Sequence, residues 1–163
     1  MKTLGGVIMK DYWAILNYEI QMYFGARHLQ SFPINGASQS LTTLQASAMT
    51  EVKALHVRIL LDIFLERKNS DDINIDDILP DWREKNQTVV HNLEIAYNKK
   101  LEIGKTPKWY LNKYLAHPDK RRGDHFDWAP VIKRMDTPLK EVFKTLPTEK
   151  LHALVFFQKY LYA

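Results

Sequence analysis

The sequence predicts an all-α fold, an up-and-down bundle of five or six helices, on three observations. Apolar residues recur at three- and four-residue steps along nearly the whole chain. No segment shows the strict alternation of a half-buried strand. Prolines and glycines fall mostly between the periodic stretches, where they punctuate the pattern. With 163 residues, the chain suits one helical domain spanning 1–163, since domains commonly run to roughly 100–150 residues.

The first helix is set by Tyr12, Ile15, Leu16, Glu19, Tyr23 and Leu29, a mostly apolar stripe that ends near "SFPINGAS", where Pro33 and Asn35-Gly36 read as a turn. Ser38 or Ser40 caps a second helix, "SLTTLQASAMTEVKALHVRILLDIFLERK". Its first half is small and polar, which permits close approach of another helix. Its second half, Val52 to Leu65, is dense in aliphatics and reads as buried on more than one side. An acidic connector, "NSDDINIDDILPDW", reads as a solvated loop with a short helical turn. The third helix runs from about Asp81 with Val89, Leu93, Ala96 and Tyr97 inward. Gly104, Thr106 and Pro107 stop it and start a short fourth helix, "PKWYLNKYLAH", which Pro118 ends because the residue before a proline disfavours helical geometry. A further helix covers about Trp128 to Leu146, with an interruption expected at Pro138. The last, "TEKLHALVFFQKYLY", follows Pro147 with Thr148 as its cap.

Composition excludes several classes of function. Hydrophobic residues at 45% and charged residues at 26% fit neither a disordered nor a membrane protein. The net charge of +4 is too small to imply nucleic-acid binding by itself, so any such role must come from a local patch. With no cysteine, disulfides, thiolate catalysis and Cys-ligated zinc are excluded. The apolar run Val7 to Met9 is too short for a signal-peptide core, and no stretch approaches the ~20 apolar residues of a membrane helix. The expectation is a cytoplasmic protein without membrane association.

Chemistry concentrates in "WYLNKYLAHPDKRRGDHFDW", residues 109 to 128. Lys113 and His117, four residues apart, share a face of the fourth helix with Tyr110 and Tyr114 adjacent, while Asn112 lies about 140° round from His117. Asn and Lys can hold a phosphate, and a histidine of near-neutral pKa can move a proton. Lys120, Arg121 and Arg122 follow as the one dense basic cluster of the sequence, the composition an RNA strand needs nearby. In purely structural terms, His117 caps the helix end, where a cation suits the dipole, and "DKRRGD" is a solvated turn.

"LNKYLAH" in a short fourth helix resembles the signature of HEPN-type helical bundles, small prokaryotic domains often linked to RNA cleavage or to toxin and defence systems. The family motif is an Arg, usually with a neighbouring Asn or other polar residue, then a His, commonly "RNxxAH". Ala116-His117 match its end, Asn112 stands where the arginine is expected, and Lys113 stands where the Asn usually lies. "EVKALHVRILLDIFLERK" resembles the helix that faces the motif in such bundles, so the likeness covers about residues 40 to 135. It implies a homodimer in which Arg and His of two protomers meet and cleave RNA with neither metal nor organic cofactor, and a second protein such as an antitoxin as a partner. The motif arginine is missing; lysine supplies charge but not the two-pronged hydrogen bonding of guanidinium, and Arg58 on the neighbouring helix is the candidate replacement. Glu51 and Asp62, near the same face as Arg58, either orient His117 or simply pair with Arg58 in a half-buried seam. His56 points to another face and reads as a packed polar residue.

Two alternatives stand beside this reading. One is a non-enzymatic, homodimeric interaction module that keeps the bundle with a degenerate motif. Its interface would be the tail "LVFFQKYLY", which is apolar nearly all round. The other is a DinB-like metal-binding bundle drawing on His28, His56, His91, His117, His125 and His152. No two of these share the i, i+4 spacing, and "HNLE" reverses the Glu-x-x-His order of bundle metal sites, so no metal residues are assigned.

Overall fold

The computed structural model describes residues 11–30, 36, 38–65, 72–116 and 126–162. Among them the regular structure is entirely helical: α1 (Tyr12–Gln30), α2 (Gln39–Leu65), α3 (Ile75–Ile78), α4 (Trp82–Lys85), α5 (Gln87–Asn98), α6 (Pro107–Ala116), α7 (Ala129–Lys144), a 3₁₀ turn (Thr148–Lys150), α8 (His152–Phe156) and α9 (Gln158–Leu161). The all-α bundle expected from the apolar periodicity is therefore the fold, and α1, α2, α5, α6 and α7 are its five long members.

Helices α1 and α2 form its first layer and lie antiparallel. Glu19, early in α1, meets His56, late in α2, while Gln45, early in α2, donates to the carbonyl of Leu29 at the far end of α1. Ser38 supplies the cap of α2, its hydroxyl accepting from the Leu41 amide at 3.4 Å. The aliphatic half of α2 is buried on several sides through Ala54, Val57, Leu60, Leu61, Ile63 and Phe64, as its composition implies. Helix α7 runs in the same sense as α2: Lys53 meets Asp136, and further along both helices Phe64 approaches Phe143. The core is one continuous cluster drawn from α1 through α9, and Tyr23, Phe24, Phe64 and Phe143 form its aromatic centre.

Four expectations are corrected. In α1, Leu16, Ile20, Tyr23 and Phe24 are buried, but Tyr12 and Leu29 of the expected stripe, which stand in its first and last turns, are exposed. The third helix is broken at Asn86, whose side chain donates back to the Trp82 carbonyl at 2.8 Å. The break lets Trp82 turn inward, its indole N–H donating to the Thr145 hydroxyl at 3.2 Å. Helix α7 continues through Pro138 without interruption, because Val131, Met135, Leu139, Val142 and Phe143 bury a single stripe across it. The tail is not one helix: a 3₁₀ turn after Pro147 and a break at Phe157 divide it, and the breaks point Leu151, Leu154, Phe157 and Leu161 inward.

Two stability measurements follow. Phe143→Ala should cost about 3–5 kcal/mol, the range for emptying a fully buried aromatic site, read from urea denaturation. Pro138→Ala should stabilise the protein by about 2 kcal/mol, because the ~3 kcal/mol helix penalty of proline exceeds the up to ~1 kcal/mol by which proline stiffens the unfolded chain.

Candidate functional site

Helix α6 is built for a defined start. The Thr106 hydroxyl accepts from the Trp109 amide at 3.1 Å, Pro107 opens the first turn, and the Tyr110 hydroxyl donates to the Ile103 carbonyl at 2.7 Å. Gly104, at φ 104°, takes the left-handed turn that brings the chain round. Asn112 and Lys113 lie half-buried on this helix. Its last residue is Ala116; His117, the basic residues Lys120, Arg121 and Arg122, and His125 lie outside the described residues.

Arg58 and Asp62 pair along α2, Nε to Oδ2 at 3.9 Å, both half-buried. They sit beside Tyr97 of α5. Burial pushes the Tyr97 phenol up to about 12, the Asp62 carboxylate adds to the rise and the Arg58 guanidinium opposes it. The Tyr97 hydroxyl is buried with no hydrogen-bond partner among the described residues, and the Lys108 ammonium of α6 lies 5.5 Å from the centre of its ring. Arg58 and Asp62 thus belong to the seam where α2, α5 and the start of α6 meet. Glu51 stands about 10 Å further back along α2, given the rise of the helix, and is exposed. The three share a helix but not one site.

What α6 does organise is aromatic. Phe126 stacks on both Tyr110 and Tyr114, at centroid distances of 4.8 and 4.7 Å, and meets Trp128 edge-on at 4.8 Å. The two tyrosine centroids are only 6.2 Å apart, too close for them to sandwich Phe126 between opposite faces, and its half-buried ring packs against the core beside them. Phe126 also lines a cleft of about 450 Å³ between the 126–128 segment and the first half of α2. Thr42, Thr43, Ser47 and Thr50 line the cleft, the three threonine hydroxyls donating back to carbonyls of α2 and its cap, and Glu51 and Asp127 supply carboxylates. Of the small residues of α2 read as permitting close approach of another helix, Thr42, Thr43, Ala46 and Ser47 line this cleft.

A second polar group was not anticipated. Asp136 of α7 accepts from the Tyr23 hydroxyl at 2.6 Å, and its carboxylate lies 3.3 Å from the ammonium groups of both Lys53 and Lys140. Lys53 also stands 4.5 Å from the centre of the Tyr23 ring, a cation–π arrangement. Beside it, His56 Nδ1 and Glu19 Oε2 are 2.6 Å apart and buried, so His56 is the packed polar residue its position suggested. A lysine three residues before a histidine inside the densest aliphatic run was the available signal; its partner, some eighty positions away, was not. Of the other histidines, His91 and His152 are exposed and the His28 side chain is outside the description; no set of three or more His, Asp or Glu suited to a metal ion forms among the described residues. None of the described helices is long and apolar enough to cross a membrane.

Burial alone would raise the Asp136 pKa, but the Tyr23 hydroxyl, then Lys53 and Lys140, outweigh it and hold the carboxyl below its ordinary value. The charged form is therefore favoured by folding. That stabilisation is complete above the ordinary aspartate pKa of about 3.9 and is lost as pH falls through the lower folded value. Asp136→Asn should cost about 2 kcal/mol at neutral pH, and in urea titrations at stepped pH the gap from wild type should narrow below about pH 4.

Comparison of the chain with models of known families, with curated proteins and with solved structures finds no match in any of the three.

Proposed function

We propose that this chain is a HEPN-like helical protein of the cytoplasm that binds RNA, of the kind found in prokaryotic defence or toxin–antitoxin systems. The observation that carries the reading is the aromatic shelf. Phe126 and Trp128 line an open cleft directly after the segment that holds Lys120, Arg121 and Arg122. Stacking on an aromatic face and neutralisation of the backbone by nearby cations are the two requirements of single-strand recognition. The likeness of Asn112-Lys113 and Ala116-His117 to the HEPN motif supports the same end of α6. Where such a site cleaves RNA, His117 moves the proton at the ribose hydroxyl or the leaving oxygen, Asn112 positions the phosphate, and a guanidinium stabilises the charge. Here Arg58 is engaged by Asp62 at the α2–α5 seam, which favours binding over cleavage.

The test uses purified protein with EDTA and several single-stranded RNAs. Wild type should bind in a salt-dependent manner without cutting, and Lys120, Arg121 and Arg122 replaced together by Ala should weaken binding at least tenfold. Cleavage that persists in EDTA and disappears in a folded His117→Ala variant would make the protein a metal-independent nuclease. Failure to bind any of the RNAs would sink the RNA reading.

A second reading, the protein-interaction module, is favoured by one observation. Val155, Phe156 and Tyr162 of the tail are 59%, 76% and 67% exposed while their neighbours fill the core. Such residues suit a homodimer or a protein partner. In this reading light scattering finds a dimer for wild type and a monomer for Phe156→Glu.

A further inference from the structure

We infer that the groove between α2 and the first half of α7 is a binding site for a nucleoside monophosphate, with its phosphate beside Lys53 and Lys133 and its base against Phe126. The inference extends the RNA reading to one nucleotide and rests on it only for where that nucleotide comes from, a free metabolite or an RNA strand.

The groove has two chemically distinct ends. At one, a cleft of about 380 Å³ is lined by Thr50 and Lys53 of α2 and by Ala129, Lys133, Asp136 and Thr137 of α7. The Asp136 carboxylate is shared between the ammonium groups of Lys53 and Lys140, and Lys133 adds a third at the exposed rim. Of the residues that line it, the Lys53 and Lys133 ammonium groups stand against the Asp136 carboxylate, an excess of one positive charge, with Lys140 paired to Asp136 outside the lining. A phosphate monoester carries about −1.5 to −2 near neutral pH, so this net positive end attracts the anion and neutralises part of its charge. The Thr137 hydroxyl is a hydrogen-bonding group of the same lining, whereas that of Thr50 is donated to the Ala46 carbonyl at 2.8 Å and the first amide of α7, at Ala129, is held by the Asp127 carboxylate at 2.9 Å. Asp136 fixes the Lys53 ammonium in place, so the site is organised before the ligand arrives.

At the other end lies the aromatic cleft. Thr50 lines both clefts, and along α2 the stretch from Ser47 to Lys53 rises about 9 Å, a span that ribose and phosphate cover. There Phe126 lines the cleft and offers an aromatic ring on which a base can stack. Glu51 and Asp127 accept hydrogen bonds, the complement of the amino groups carried by adenine, cytosine and guanine. A cationic end, an aromatic face and acceptor carboxylates in that order fit a nucleotide better than a simple anion or an acidic peptide. The two volumes together fall within the range of small-ligand sites, about 300–1,000 Å³.

Isothermal titration of the full chain with AMP, adenosine, inorganic phosphate and 5′-phosphorylated tri-adenylate tests the assignment. AMP should bind at least tenfold more tightly than either adenosine or inorganic phosphate. Lys133→Glu and Thr137→Glu, both at exposed helix positions, should each weaken AMP at least tenfold while leaving the circular dichroism spectrum unchanged. Tri-adenylate binding more tightly than AMP assigns the nucleotide to RNA; equal or weaker binding assigns it to a free mononucleotide. The inference is overturned if AMP does not bind at millimolar concentration, if adenosine binds as well as AMP, or if both variants bind AMP as wild type does. AMP binding without RNA binding would sink the RNA reading and keep this one; RNA binding without AMP binding would do the reverse.

Discussion

The carboxylate of Asp136 is the point on which three helices converge. It takes a hydroxyl from α1, an ammonium from α2 and a second ammonium from its own α7. The Tyr23 hydroxyl and the buried Lys53 ammonium reach this carboxylate only when α1 and α2 stand in one register with α7. Hydrophobic burial drives the layers together without direction, whereas this polar hub allows one arrangement. The Glu19–His56 contact, a turn away on both α1 and α2, sets the same register a second time. Everything beyond the first layer, including the groove beside α7, inherits its geometry from that alignment.

How far the fold could be read from the residues follows from the range of the forces involved. Helix positions are local: the Ser38 and Thr106 caps and Pro107 act within a turn of where they stand. Breaks at Asn86 and Phe157 are not local. They exist because Trp82 reaches Thr145 and because Phe157 stacks on Phe24, contacts between segments far apart in sequence. Pro138 shows the converse, since tertiary burial of one stripe holds a helix through a residue that local propensity would stop.

The candidate site divides along the same line. The crowding of Trp109, Tyr110, Tyr114, Phe126 and Trp128 is visible as a string of letters, and their stacking is a local consequence of one helix and the strand of chain that returns past it. Glu51, Arg58 and Asp62 share a helical face by arithmetic, yet the bundle gives Glu51 to one surface and the other two to the Tyr97 seam. Periodicity says which residues point the same way; it does not say what lies opposite each turn. Lys53 and Asp136 were opaque for that reason, one lysine among aliphatics and one aspartate in a charged helix, meaningful only once paired.

The long helix α2 has a consequence of its own. From Lys53 onward its residues are buried or half-buried save Leu55, whereas Gln39 to Leu44 are exposed. Two halves of a single helix therefore experience different opening equilibria: amides in the sunken half exchange with solvent only when the bundle unfolds, and those of the outer half exchange by fraying. The groove is walled by both kinds of backbone. Its Lys53 end is as rigid as the fold, and its Thr42 end is an arm that can adjust to what it holds without disturbing the core.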